Sequence, residues 1–459
     1  MTGGRPLASS APLPVVDIDL AEPGAFRRPG GGARTRPSGR ALGLVRVHGR
    51  PLGMTEASGG GPEELWQALA ATAVREFAVT DEDLGRTEPH RTPVEAPPAI
   101  SVIVATRNRT GMLRDCLDSL LAQTYPRFEV IVVDNAPADT TTEELVRREY
   151  GGLPRNQSQS QSRNRNRNRN QNRGPVVRYL REPVPGLARA HNRGLAAANG
   201  GISAFTDDDT LVDPLWLTEL AAPFLADPRT GCVTGLIVPA ELDTEAQLAL
   251  ERHGAFAKGY APRVWSLRAP PADPLFPFTA GRFGSGANMA FRTELLRDLG
   301  GFDPATGVGT PAHGGDDLLS FFRVLARGRS LAYEPAAIVW HRHKRTPEAL
   351  DAQAFGYGAG FGAYLAGAIV HEPRMLPALL RRLPGGVRYA LTRHHERGGP
   401  DSGRGVTASR LTRLELRGML YGPYGYLRSR RIERRVRRRT EGRHDDLAHP
   451  GPRRRGGPR

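Results

Sequence analysis

The chain has 459 residues, 39% of them hydrophobic, with 54 glycines, 39 prolines and a formal net charge of +16. That length suits one large domain with appendages or two to three domains, and the hydrophobic share is that of a globular core, not a fibrous chain. Its two cysteines, Cys116 and Cys232, are far apart and lack metal spacing, which argues against a disulfide framework and for a reducing cytoplasm.

Residues 1–14 lack a continuous apolar stretch, so no secretory signal is read there. Within 1–97, two apolar runs at 13–20 and 41–47 are joined by a Gly/Pro/Arg-rich stretch, and helical spacing follows at 63–77. A small, partly disordered accessory module is expected, with 93–98 as its linker.

Over 98–345 the pattern turns to strands and helices in alternation. Runs at 100–105, 128–133 and 202–206 are mostly apolar and rich in β-branched residues, the mark of strands buried on both faces. Helical spacing at 113–122, 140–150 and 187–199 separates them. The expected fold class is α/β, with a Rossmann-like, mixed but mainly parallel sheet flanked by helices. Residues 155–173 are almost entirely Asn, Gln, Ser and Arg and read as a disordered insertion.

Ligands of open α/β sheets bind at the carboxyl ends of the strands. Three predicted strands end in polar groups there: Thr106-Arg107-Asn108-Arg109, Asp134-Asn135, and Asp207-Asp208-Asp209. Three adjacent carboxylates repel one another, and a hard divalent cation bridging to a substrate's phosphates gives them a purpose. Other nucleotide folds fail on details. No Gly-x-Gly-x-x-Gly or P-loop lysine follows the first strand, and Leu211 stands where a haloacid-dehalogenase motif needs threonine. Asp316 and Asp317 precede an apolar helical run, where either helix capping or catalysis would place them. His341 and His343, alternating along a strand, share one face; a surface pair and a catalytic role both fit.

The ordered series ISVIVATRNR, SLLAQTYPRFEVIVVDNAP, GLARAHNRGLAAANG, FTDDDTLVDPLWL, GSGANMAFR, GGFD, GGDDLLSFFRVLARG and YEPAAIVWHRH, across residues 99–345, resembles family 2 glycosyltransferases of the GT-A fold. The resemblance implies a metal-assisted, inverting transfer of sugar from a nucleotide-diphosphate donor to an acceptor hydroxyl. The acceptor would be a glycan, a lipid-linked sugar or a small molecule. Thr106, Arg107, Asn108, Asp134, Asn192 and Asp207 would contact the donor. Asp207, Asp209 and His341 would hold Mn²⁺ or Mg²⁺, with Asp208 the least certain of the three aspartates. Asp317 would be the general base and Asp316 its acidic neighbour. Two departures stand out: His191 occupies a slot where the family commonly has arginine, and Asp316 replaces a glutamate. An inactive sugar- or lipid-binding module and a sugar-nucleotide pyrophosphorylase are the rival readings; the latter lacks its Gly-rich, lysine-bearing loop after Ala105.

Residues 346–426 are expected to be helical and basic, and 427–459 to be a disordered, Arg-rich tail. Nowhere do roughly 18 uninterrupted apolar residues suggest a spanning helix; 354–370 come nearest and read as a buried or membrane-surface helix. The arginines from Arg428 to Arg439 fit either a solvated tail of an Arg-rich, high-GC proteome or an anionic membrane contact. Without aromatic interleaving, nucleic acid is not the expected partner. The expected location is cytoplasmic, with peripheral contact at the inner face of the cell membrane.

Overall fold

The structure, a computed structural model, describes residues 10–85, 96–151, 175–254, 256–382, 384–385 and 404–448. The insertion expected at 155–173 lies outside them.

The first module is a five-stranded sheet, in the order β3-β2-β1-β4-β5, with a helix across it. Its strands are β1 (Val15–Asp19), β2 (Phe26–Arg27), β3 (Arg34–Thr35), β4 (Gly39–Val47) and β5 (Arg50–Gly59). The β4–β5 hairpin closes on His48-Gly49, both at positive φ (49° and 83°), the two-residue turn whose twist matches the strands. Asp19 steadies that turn by accepting the His48 and Gly49 amides at 3.0 and 2.7 Å. Helix α1 (Pro62–Phe77) buries Leu65, Leu69 and Ala73, one stripe at four-residue spacing; a short α2 (Asp81–Gly85) follows. The expected partial disorder is therefore corrected over residues 10–85. The reason is tertiary: Leu44 packs among Leu236, Val238, Ile338 and Trp340 of the next domain, and Leu13 and Leu42 meet Leu242 and Leu248.

The large domain runs β6 (Ile100–Thr106), α3 (Thr110–Leu121), β7 (Phe128–Asn135), α4 (Thr141–Leu145), β8 (Val176–Glu182), α5 (Leu187–Ala197), β9 (Ile202–Asp207) and β10 (Thr210–Val212). It continues with α6 (Trp216–Ala226), β11 (Thr230–Pro239), α7 (Glu245–Gly254), β12 (Arg263–Trp265), β13 (Met289–Arg292), α8 (Thr293–Asp298), α9 (Asp316–Ala326) and β14 (Ser330–His341). The nine strands form one sheet in the order β10-β14-β11-β13-β9-β6-β7-β8, with β12 on β14. Strands β6, β7, β8 and β9 are mutually parallel, as are β11 and β14, while β10, β12 and β13 run against their neighbours. The sheet is therefore mixed and mainly parallel. One face buries Ile103, Phe205, Phe291 and Phe321; the other buries Val102, Val104, Leu117 and Trp216. Burial on both faces explains the mostly apolar runs.

Beyond the sheet lie α10 (Pro347–His371) and a C-terminal helix (Arg404–Ala448). They cross through a seam of small residues: Gly358 and Gly362 face the backbone of Glu415 and Met419, and Gly418 and Gly422 face that of Phe355 and Ala359. A Cβ at any of these positions would collide with the partner helix. Gly-rich residues 354–370 are thus a packed helix, and no described helix is long and apolar enough to cross a membrane. Residues 427–448, expected to belong to a disordered tail, continue the C-terminal helix. Docking on α10 nucleates that helix, and arginine is a good helix former that carries it on.

Candidate active site

Register places the strand ends together. Ala105 of β6 pairs with Asp207 of β9, Thr106 pairs with Asp134 of β7, and Thr210 of β10 pairs with His341 of β14. These ends border a cleft of about 870 Å³, within the usual range of ligand sites. Thr106, Arg107, Asp207, Asp208, Asp209, Asp316, Asp317 and His341 all line it. So do Arg109 and Lys344, and the α10 residues Gln353, Tyr357 and Phe361.

The three aspartates take different surroundings. Asp208 accepts the Thr106 hydroxyl at 2.7 Å and Arg109 Nη1 at 3.1 Å, so its charge is already met by protein. Asp209 accepts Arg109 at 3.1 Å and Lys344 Nζ at 3.3 Å, and lies 3.3 Å from His341 Nε2. The Asp207 carboxylate makes no hydrogen bond among the described residues. Burial, then the neighbouring Asp209 charge, pushes Asp207 up to about 6. At Asp209 burial acts in the same direction, but His341, Lys344 and Arg109 outweigh it and hold the carboxyl below its ordinary range.

Ligand atoms of Asp207, Asp209 and His341 all lie within 4.8 Å of one another. Two carboxylate oxygens and one imidazole nitrogen form a donor set suited to Mn²⁺, and a pair holding Asp207 at about 6 is short of positive charge there. The residues therefore fit a divalent cation. Behind His341 runs a buried relay: its Nδ1 is 3.1 Å from His343 Nδ1, and His343 Nε2 is 2.6 Å from Glu251 Oε1 on α7. With Glu251 accepting from His343, and His343 from His341, a neutral His341 would keep its Nε2 lone pair for a cation taking the place of the proton it shares with Asp209.

Asp317 sits at the first turn of α9, after Gly315 in the left-handed region (φ 88°). Its carboxylate accepts Gly286 N and Leu318 N, both at 2.8 Å. Burial, then the Asp316 charge, pushes it up to about 6, while those amides pull the other way. Asp316 is buried beside His191, whose Nδ1 is 3.5 Å from Asp316 Oδ2. His191 itself is wedged between Phe205 and Phe302.

Three residues to which the resemblance assigns donor contacts are not among those that line the cleft. Asn192 holds the Phe302 backbone at both ends of its amide, 2.8 Å each way. Asp134 is fully buried and accepts the Tyr179 hydroxyl at 3.1 Å. Asn108, at φ 55°, accepts the Ala138 amide and shapes a turn. Next to Asp134, Asn135 does reach the cleft. Arg109 and Lys344 were legible as basic residues beside polar strand ends. Glu251 was not, because ninety positions of chain separate it from His341.

The model of the family "Glycosyl transferase family 2" matches residues 101–300. The pre-mycofactocin glycosyltransferase of Mycobacterium tuberculosis is 30% identical over 196 residues, 42% of this chain and 37% of the relative. The O-antigen biosynthesis protein RfbC of Myxococcus xanthus is 28% identical over 220 residues, 46% of this chain and 15% of that protein. The chain thus spans little more than a third of the mycobacterial relative's length. Among solved structures, a Pyrobaculum calidifontis mannosyltransferase in complex with GDP-Man and Mn²⁺ is 21% identical, with a TM-score of 0.40 over 72% of this chain and 90% of that one. The motif series and the family match fall on the same stretch: residues 101–300 are what matches the model of glycosyl transferase family 2.

Proposed function

We propose that the chain transfers a sugar from a nucleotide-diphosphate donor to an acceptor hydroxyl, with inversion at the anomeric carbon. One observation carries this reading: the carboxylates of Asp207 and Asp209 and the amide-held Asp317 border a single cleft. Asp207, Asp209 and His341 would hold the cation, Mn²⁺ in preference to Mg²⁺ because one donor is an imidazole. Bound there, the cation supplies Lewis-acid neutralisation of the departing diphosphate.

The protein's own groups do the rest. An acceptor hydroxyl is a poor nucleophile and needs its proton taken as it attacks. Asp317 suits that task, because two backbone amides fix its carboxylate and burial makes it a stronger base than an ordinary aspartate. Asp316 would meet a second acceptor hydroxyl from the same wall. Arg107 and Asn135 line the wall at the ends of β6 and β7, where a nucleotide would lie. Arg109 and Lys344 add positive charge toward a diphosphate. The buried, unpaired thiols of Cys116 and Cys232 support a cytoplasmic setting.

The test is turnover of nucleotide-sugar donors with and without Mn²⁺, with nucleotide release as readout. Asp209→Asn is expected to abolish the metal-dependent part. Absence of both donor turnover and metal-dependent nucleotide binding would overturn the reading.

A further inference from the structure

The C-terminal helix has an outer face that the transfer chemistry does not use. Its inner side is occupied by the glycine seam with α10 and by the buried Leu411 and Tyr426. The acidic residues it carries between 404 and 438, Glu415 and Glu433, both turn inward. Glu415 meets His253 Nε2 at 3.0 Å, and Glu433 pairs with Arg189 of α5.

The outer side is left with one sign of charge. Arg413, Arg417, Arg428, Arg431, Arg434 and Arg435 are exposed. None of the six pairs with an acid among the described residues. In the middle of this basic face Leu420, Tyr424 and Leu427 are 81%, 59% and 54% exposed. Steps of four and three positions put them on one stripe, within an arc of about 60°. Single exposed apolar residues are ordinary, whereas an aligned trio between arginine clusters calls for a partner with apolar depth and surface anions.

We propose that this face, from Arg413 to Arg435, docks on an anionic lipid bilayer. Leu420, Tyr424 and Leu427 enter the headgroup boundary, and the arginines pair with lipid phosphates. Nucleic acid offers the same anions but no apolar layer for the central stripe. The face lies beside the cleft: the Tyr424 ring is 5.6 Å from Tyr421, whose ring is 6.0 Å from His313 in the cleft wall. Docking is independent of sugar transfer, so failure of either leaves the other standing.

The full chain should sediment with phosphatidylcholine vesicles containing phosphatidylglycerol, not with phosphatidylcholine alone, and added salt should release it. Combined Leu420→Ser, Tyr424→Ser and Leu427→Ser should weaken partitioning by roughly tenfold or more, since each removes apolar surface that favours the bilayer. Arg428→Glu with Arg431→Glu should abolish it, with helical circular dichroism unchanged in both variants. As a measurement free of folding effects, an environment-sensitive fluorophore on Leu427→Cys should blue-shift with anionic vesicles; labelling is selective because Cys116 and Cys232 are buried. Failure of the unmodified chain to sediment, retention after the triple change, or no spectral shift overturns the proposal. So does RNA that displaces the vesicles and still binds the triple variant.

Discussion

Asp209 and Asp213 flank the three-residue strand β10, yet they meet their charge in different ways. Asp213 faces the N-terminal module, where Arg46 Nη2 lies 2.7 Å from both Asp213 Oδ2 and Asp17 Oδ2. All three side chains are buried, and the guanidinium joins β1, β4 and the end of β10. Asp209 is met by Arg109 and Lys344 at the cleft wall, whereas Asp207 beside it accepts no hydrogen bond on its carboxylate among the described residues, and both face the cleft. A buried carboxylate closed by a cation from its own chain is a structural joint. One left short of positive charge at a cavity wall is a binding group.

The largest effect should come from the cleft. Asp317→Asn is expected to lower kcat by about 10²–10⁴-fold. Its melting temperature should be unchanged or higher, because the variant removes like charge packed against Asp316. Unchanged kcat would remove Asp317 from the mechanism. At the joint the order reverses. Arg46→Ala leaves two buried carboxylates unpaired and should cost about 3–5 kcal/mol in denaturant unfolding. The folded fraction should keep its kcat. A variant of native stability would show that the joint is not what holds the module.

The relay behind His341 tests whether cleft charge is tuned from outside the cleft. Glu251→Gln should weaken Mn²⁺ binding to the donor-free protein by about 10–100-fold by calorimetry. Unchanged affinity would make Glu251 a purely structural partner of His343. The smallest effect is the pH dependence. With Asp317 pushed up to about 6, the base is ionised above that pH and lost below it. At saturating Mn²⁺, kcat should be flat above the shift and fall about tenfold per unit beneath it. A flat profile down to the ordinary aspartate range would show that burial does not raise this group in solution.

The strands of the large domain were legible because burial on both faces writes runs rich in β-branched residues, as in Ile100–Thr106 and the strand ending at Asp207. The gathering of Asp207, Asp209 and His341, and the place of Asp317 at the same cleft, followed the motif series. Asn192 and Asp134 were read from the motif series, but the partners they hold in the structure were not, since periodicity says nothing about which way a side chain turns on a helix or at a strand end. Phe302 lies more than a hundred positions from Asn192, and its backbone claims that amide. The N-terminal sheet was missed because two of its strands have only two residues and β5 is largely polar and small in side chain, and its order depends on Leu44 reaching Trp340.

Local pattern by itself determined the alternating α/β domain, its polar strand ends and the residue types able to bind a metal or move a proton. Those depend on side-chain periodicity and on chemistry carried within a few residues. Tertiary structure alone decided which carboxylates are closed and which stay open. It matched Arg46 to Asp17 and Asp213, and Arg109 to Asp208, while leaving Asp207 facing the cleft. It also turned Glu415 and Glu433 inward, so that a basic stretch of sequence became a helix whose exposed face carries arginine without acid. Charge is written in the chain, but its neutralisation depends on contacts between residues that are distant in sequence.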